Sequence, residues 1–327
     1  MPPKSPFPEP AATLPGEADI LAAVVSNLAD DTAKLVYSDW LEEHDDPRGK
    51  LLRDSVTAFR AGKKLPPLKT TSRPWCELVG IPLLNKIQLA ELTAKADQIL
   101  ALARPALTCK STRAADAKIP VGASKLSGLP DLPPKAAWPV FQGEPLHFLA
   151  QFNLTELSKS LACRDLPNTG LISIFSVYDE DEGNDDFSKG SWRLFHFPDV
   201  AKLSRCVSDP GSPFQSCRLE FRETMSLPAW DSPWKKELGL GLDQSNWDVY
   251  QEQVVGFGDG FHRVLGYPIP IQGDVLGKKS VRHLLTIDSD EYSGWNWGDD
   301  GCLYFLIDDA DLKAKRFDRV RMEMQCG

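Results

Sequence analysis

The last two-thirds of this 327-residue chain repeats itself, and that repetition limits the folds open to it more than any composition could. One passage runs Lys125-Leu126-Ser127-Gly128-Leu129-Pro130, then His147-Phe148-Leu149-Ala150-Gln151-Phe152, then Gly170-Leu171-Ile172-Ser173-Ile174-Phe175. A second runs Arg263-Val264-Leu265-Gly266-Tyr267-Pro268, then His283-Leu284-Leu285-Thr286-Ile287-Asp288, then Gly301-Cys302-Leu303-Tyr304-Phe305-Leu306, at offsets of 138, 136 and 131 residues. Each copy reads as a Gly-x-Pro turn, a strand, a loop and a second strand ending in acids. Alternation along a strand puts Leu149, Gln151 and Asn153 on one face, with Leu285, Ile287 and Ser289 on the matching one, and makes Ser173 and Tyr304 equivalent. His147 and His283 stand at equivalent places before their strands. Units this small do not bury their sheet faces alone, so the copies are expected to pack about a pseudo-twofold axis and leave a groove where they meet.

Ahead of the repeat the period is helical. Pro2, Pro3, Pro6, Pro8 and Pro10 predict a flexible leader over residues 1–16. Ile20, Leu21, Val24, Val25 and Leu28 form one apolar stripe, and the Asp30-Asp31 pair caps a second helix with Leu35, Val36, Trp40 and Leu41 inward. Pro47 opens a third, buried through Leu51, Leu52, Val56 and Phe59. This helical module spans 17–62 and is too small to be stable without leaning on the rest of the chain. Residues 63–82, with Pro66, Pro67, Pro74 and Pro82, read as a linker, followed by one longer helix from Leu83 to Ala103. The β-rich halves occupy about 106–200 and 245–327, giving an α+β fold.

Charge narrows the function. The net charge of −9 divides into −2 over residues 1–70, +4 over 71–130 and −11 over 131–327, the wrong sign for a duplex-DNA binder. Seven cysteines without zinc-knuckle spacing, no signal-peptide pattern and no long apolar run point to a cytoplasmic chain that does not enter a membrane.

Two resemblances follow from particular motifs. Leu35-Val36-Tyr37-Ser38-Asp39-Trp40-Leu41-Glu42-Glu43 followed by Asp46-Pro47-Arg48-Gly49 resembles the planctomycete repeat-companion domain over about residues 17–60. That family has no established chemistry. Ser124 through Pro133, Trp138-Pro139, Phe148-Leu149-Ala150-Gln151, His262, Leu265-Gly266-Tyr267-Pro268, Gln272-Gly273-Asp274, Leu285 to Asp290 and Trp297-Gly298-Asp299 together resemble the YwqG-like (DUF1963) family of unknown function over about residues 84–327. This likeness implies an α+β fold and transfers no catalytic residue. Thr286 departs from the expected Leu-Leu-Gln strand and weakens an equivalence with Gln151.

Candidate chemistry is sparse. Gly256-Phe257-Gly258-Asp259-Gly260 lacks the remaining signature of a dinucleotide or phosphate loop. Asp179 to Asp186 fails the EF-hand order and reads as a solvated acidic loop. No Gly-x-Ser-x-Gly elbow is present, and Gly211-Ser212 lies in a Pro-rich loop. No cofactor is expected. The residues nominated to bind a ligand in the groove are Lys125, Gln151, Asn153, His262, Gln272, Trp297 and Asp299, with Trp138 and Trp295 as further stacking surfaces. The expected function is therefore a non-enzymatic protein that binds a protein partner or a small polar ligand. The alternative is a metal-assisted hydrolase or transferase, with Asp288, Asp290 and Asp299 as oxygen ligands and His262 as base.

Overall fold

The computed structural model describes residue 7 and residues 11–68, 72–178, 190–208, 210, 214–241, 244–256 and 262–327. The acidic run from Asp179, Gly211-Ser212 and the loop after Gly256 fall outside the described residues.

Three helices open the chain: α1 (Glu17–Ser26), α2 (Asp31–Glu43) and α3 (Pro47–Arg60). The Asp30 carboxylate accepts from the Thr32 and Ala33 amides, and Asp46 caps α3 with Pro47 in its first turn. Gly49 lets α2 and α3 touch, because a Cβ there would lie 2.6 Å from the Ser38 carbonyl oxygen. The buried stripe of α2 is Lys34, Tyr37, Ser38 and Leu41, while Val36, expected inside, is 57% exposed. Tyr37 is drawn in by a buried acid. Glu17 accepts from the Tyr37 hydroxyl, from Arg48 and from the Thr13 and Leu14 amides, and the Trp75 indole donates to Tyr37 at 2.9 Å. The leader is thereby pinned where it is described, with Ala11 buried and its carbonyl accepting from Arg48.

The expected linker instead holds α4 (Arg73–Leu78), whose Trp75 and Leu78 are fully buried. The expected single helix over 83–103 is two, α5 (Ile81–Leu89) and α6 (Ala96–Leu102), broken where Glu91 turns to φ +57°. One apolar core unites all six helices with Leu227, Leu238, Leu240, Trp247 and Tyr250, which lie far along the chain.

The rest is one antiparallel sheet with small additions. Its strands are β1 (Arg104–Arg113), β2 (Lys125–Leu126), β6 (His147–Asn153), β7 (Leu171–Ser176), β8 (Trp192–Phe197), β10 (Cys217–Ser226), β11 (His262–Val264), β12 (Val281–Asp288), β13 (Cys302–Asp308) and β14 (Arg321–Gln325). The short strands β3 (Asp131–Leu132) and β9 (Ser204–Arg205) pair with each other, as do β4 (Val140–Phe141) and β5 (Glu144–Pro145). Further short helices are α7 (Leu154–Leu157), α8 (Lys235–Leu238), α9 (Gln244–Val249) and α10 (Asp309–Lys313).

The strand order β14-β13-β12-β11-β1-β10-β2-β6-β7-β8 reads alike from either end. A pseudo-twofold axis passes between β1 and β10, exchanging β2 with β11, β6 with β12, β7 with β13 and β8 with β14. The duplication is real, and its second copy begins at β10 rather than near residue 245. Sequence comparison misses that strand because a 35-residue segment holding α8 and α9 separates β10 from β11.

Register refines the match. Both β6 and β12 carry a bulge, at Leu149 and at Leu284. The Ser127 amide donates to the Leu149 carbonyl at 2.7 Å, and the Leu265 amide donates to the Leu284 carbonyl at 3.0 Å. Leu149 therefore matches Leu284, which pairs Gln151 with Thr286, Asn153 with Asp288, and Ser173 with Tyr304. His283 corresponds to Phe148 and not to His147, one residue away from the match that the shared histidine suggests. The expected matching face of Leu285, Ile287 and Ser289 is thus replaced by Leu284, Thr286 and Asp288.

The inner faces of both copies share one core that includes Leu149, Phe152, Ile172 and Ile174 from the first and Leu284, Ile287, Leu303 and Phe305 from the second. The sheet curls until its two ends meet, with Trp192 edge-on to Phe305 at 5.7 Å and His196 against Phe317 at 4.9 Å. The concave space between the copies is filled by side chains, so the groove expected there is occupied by the core. Among the described residues no helix is long and apolar enough to cross a membrane.

The turn after β2 and β11 is also duplicated. Ser127 and Leu265 sit at φ +48° and +55°, followed by Gly128 and Gly266 at +68° and +70°. A Cβ on Gly266 would lie 2.5 Å from Ala106 Cβ, and one on Gly128 would overlap Ser216. Gly128→Ala and Gly266→Ala should each cost about 3 kcal/mol in urea unfolding, whereas Gly143→Ala, at φ +94° but with open space around it, should cost nearer 1 kcal/mol.

Candidate functional site

Polar side chains enter this sheet at two related places. In the first copy, Lys125 on β2 and Gln151 on β6 are wholly buried neighbours across the strand pair. The Lys125 ammonium donates to Asp116 and, at 2.5 Å, to the Leu129 carbonyl, and lies 5.6 Å from the Phe148 ring centroid. The Gln151 amide nitrogen donates to Asp131 at 2.6 Å and to the Ala123 carbonyl at 2.8 Å, while its oxygen accepts from the Asp131 amide. Arg205 on β9 donates to the other Asp131 oxygen at 2.5 Å and to the Asp116 carbonyl at 2.8 Å. Asn153 donates to the Gly122 carbonyl at 2.6 Å and caps α7 by accepting from the Thr155 and Glu156 amides. Burial pulls the Lys125 ammonium down and Asp116 pulls it back only in part. Lys125, Gln151, Asn153 and Arg205 thus spend their donors on holding the covering loop to the sheet.

In the second copy the centre is His262 on β11. Its Nδ1 accepts from the Asp288 amide at 3.0 Å, which leaves the proton on Nε2 to donate to Asp290 at 3.1 Å. The same Asp290 carboxylate accepts from the Ser111 hydroxyl on β1 and, through its other oxygen, from the Ser293 amide at 2.6 Å and hydroxyl at 2.8 Å. Burial alone would raise Asp290, but the donors from His262 and Ser111 reverse this and hold its carboxyl well below the usual range. Ser, His and Asp are all present, yet the acid stands between the other two. Ser111 gives its proton to a carboxylate and makes no bond to the imidazole, so the order needed to activate a nucleophile is not formed.

The two places are one design with different side chains. The Asn153 amide donates to Ser124 Oγ at 2.8 Å where, in the other copy, the Asp288 amide donates to His262 Nδ1.

The remaining candidates are scattered. Trp297 is fully buried in the shared core beside Trp295 and Tyr178, at 5.9 and 5.5 Å. The Trp295 indole donates to the Asp288 carbonyl and the Trp138 indole to that of Leu146, both at 2.9 Å, so these rings are framework. Gln272 and Asp299 are exposed, and only their backbones are tied down, to the Gln325 side chain and to the Gly327 amide. Asp288 accepts from Cys302 at 3.2 Å, apart from Asp290. Among the described residues no three His, Cys, Asp or Glu side chains converge on a point that would hold a metal. Sequence reasoning missed Ser111, Asp116, Arg205 and Ser293. For Ser111 the partner lies 179 residues away, a distance over which spacing carries no signal.

These features define a duplicated, curled-sheet protein whose polar residues point inward as fasteners. The chain belongs to the family described as Domain of unknown function (DUF1963), whose model matches residues 124–326. No curated protein matches it.

Two measurements check this account. Asp290→Asn, which leaves Ser111 and Ser293 as poorly matched donors, should lower stability by about 3 kcal/mol in urea unfolding. His283 is buried, with Nδ1 facing the Leu265 carbonyl at 3.0 Å and Nε2 facing Thr286 Oγ1 at 2.7 Å, and burial pulls its pKa down to about 3. An unfolded histidine titrates near 6.5, so below that pH the unfolded chain takes up a proton the folded one refuses. Stability should fall from pH 6.5 to 5 by up to ~1.4 kcal/mol per unit, and His283→Gln should flatten that slope.

Proposed function

We propose that this chain is a non-enzymatic cytosolic binding or interaction protein. A repeat-companion-like helical module near residues 17–60 would be its docking end, and the duplicated sheet its rigid body. The partner would be a protein or a small polar ligand, and not nucleic acid, given the −11 carried by residues 131–327. The observation that carries the reading is the fate of the acid-base residues. Lys125, Gln151, Asn153 and His262 are each committed to hydrogen bonds within the fold, and the one Ser-His-Asp grouping is assembled in an order that activates no nucleophile. The metal-assisted alternative loses support because Asp288, Asp290 and Asp299 face different partners.

The test is turnover of generic ester, phosphomonoester and glycoside substrates by the full chain, with and without added Mg²⁺ or Mn²⁺. The expected rate is that of buffer. Saturable turnover that disappears in His262→Ala while the variant stays folded would overturn the reading.

A further inference from the structure

The leader reaches from one apolar core to the other. Phe7 is half-buried with its ring 5.4 Å from that of Phe221, the planes tilted by 35°, and it packs against the core that the two β copies share. Phe221 lies on β10 opposite Cys109 and is 1% exposed. Among the described residues Phe7 is the one side chain ahead of β1 that joins this core, while the buried apolar residues of the six helices pack in the other.

Four residues later the chain belongs to the helices. Ala11 is buried in the helical core, and its carbonyl accepts from Arg48 Nη1 at 3.1 Å. Arg48 Nη2 donates to Thr13 Oγ1 at 3.1 Å, and the Glu17 carboxylate accepts from the Thr13 and Leu14 amides at 2.6 and 2.8 Å. The leader therefore has a root at residues 11–14 and a seat on the sheet, joined by at most about 14 Å of chain. The two holds differ in kind. Buried, charge-assisted hydrogen bonds fix the root. Phe7 instead stands in the sequence between Pro6 and Pro8, which have no N–H to give to a strand ladder. Proline-rich segments dock on aromatic surfaces through their side chains, because little backbone freedom remains to be lost.

We propose that the leader is a built-in strap, and that its seat on Phe221 is a docking site for a proline-flanked phenylalanine, filled in cis by Phe7. While the strap is down, the seat is closed to the same segment of any other chain. When the strap lifts about its root, the seat opens. The root holds in both states because its hydrogen bonds lie within the helical module. The strap does not rest on the non-enzymatic reading, which turnover assays test separately.

Two measurements on the full chain test the strap. Trypsin cuts after Lys4, three residues before Phe7, and a docked Phe7 restrains the segment that the protease must hold. Cleavage there should be about tenfold faster in Phe7→Ala than in the parent, and faster also in Phe221→Leu, with cleavage after Lys135 in its exposed turn unchanged. In the second, a synthetic peptide of residues 1–10 with 4-fluorophenylalanine at position 7 is followed by fluorine NMR. It should bind Phe7→Ala saturably and the parent about tenfold more weakly, and an unlabelled peptide carrying Phe7→Ala should fail to displace it. The proposal is overturned if Phe7→Ala is cut after Lys4 at the parental rate, if the Lys4 and Lys135 sites accelerate together, or if the labelled peptide binds parent and variant alike or binds neither.

Discussion

Pairing of β1 with β10 is what makes a single protein of two incomplete halves. The strands are ten residues each and run antiparallel in unbroken register from Arg104 opposite Ser226 to Arg113 opposite Cys217. A sheet of five strands exposes an apolar face and an open edge at once, and both are liabilities. Joining two such sheets along their innermost strands removes one edge from each. Curling the product turns both apolar faces onto the same core, which neither copy closes alone. The paired turns carrying Ser127-Gly128 and Leu265-Gly266 beside the central strands repeat the same left-handed backbone in both copies.

Duplication conserved the backbone plan and let the chemistry diverge. An amide at the end of β6 or β12 finds its acceptor on the strand beside it, and that acceptor is a serine in one copy and a histidine in the other. Around these anchors each copy built its own cover: Asp116, Asp131 and Arg205 over the first, Ser111, Asp290 and Ser293 over the second. Buried charges of this kind lend specificity more dependably than net stability, because each must be fully satisfied to be tolerated. They lock loops to the sheet, and so they are poor places to look for turnover.

Periodicity and repetition carried the reading from sequence as far as local rules reach. The α+β class, the three opening helices, the copying of the β unit and the equivalence of Ser173 with Tyr304 were all legible, since each rests on spacing of a few residues or on direct self-comparison. Where tertiary contacts decide, the sequence misled. Tyr37 turned inward in place of Val36 because a buried Glu17 bonds it, and Pro-rich residues 63–82 hold a helix because Trp75 has a pocket to fill. The match of His147 with His283 is off by one residue, because equivalence between the copies is set by cross-strand pairing and not by residue identity. Lys125, Gln151 and His262 are nominated from the sequence as ligand-binding, and the fold shows the hydrogen bonds they make to other parts of the same chain.

The central claim is that the copies are one cooperative unit welded through β1 and β10 around a shared core. Native-state hydrogen exchange on the full chain tests it most directly. Slowly exchanging amides of β6 and β7 should open with the same free energy and denaturant dependence as those of β12 and β13, with β1 and β10 in the same class. Exchange of one copy through a separate, much cheaper opening while the other stays protected would contradict it.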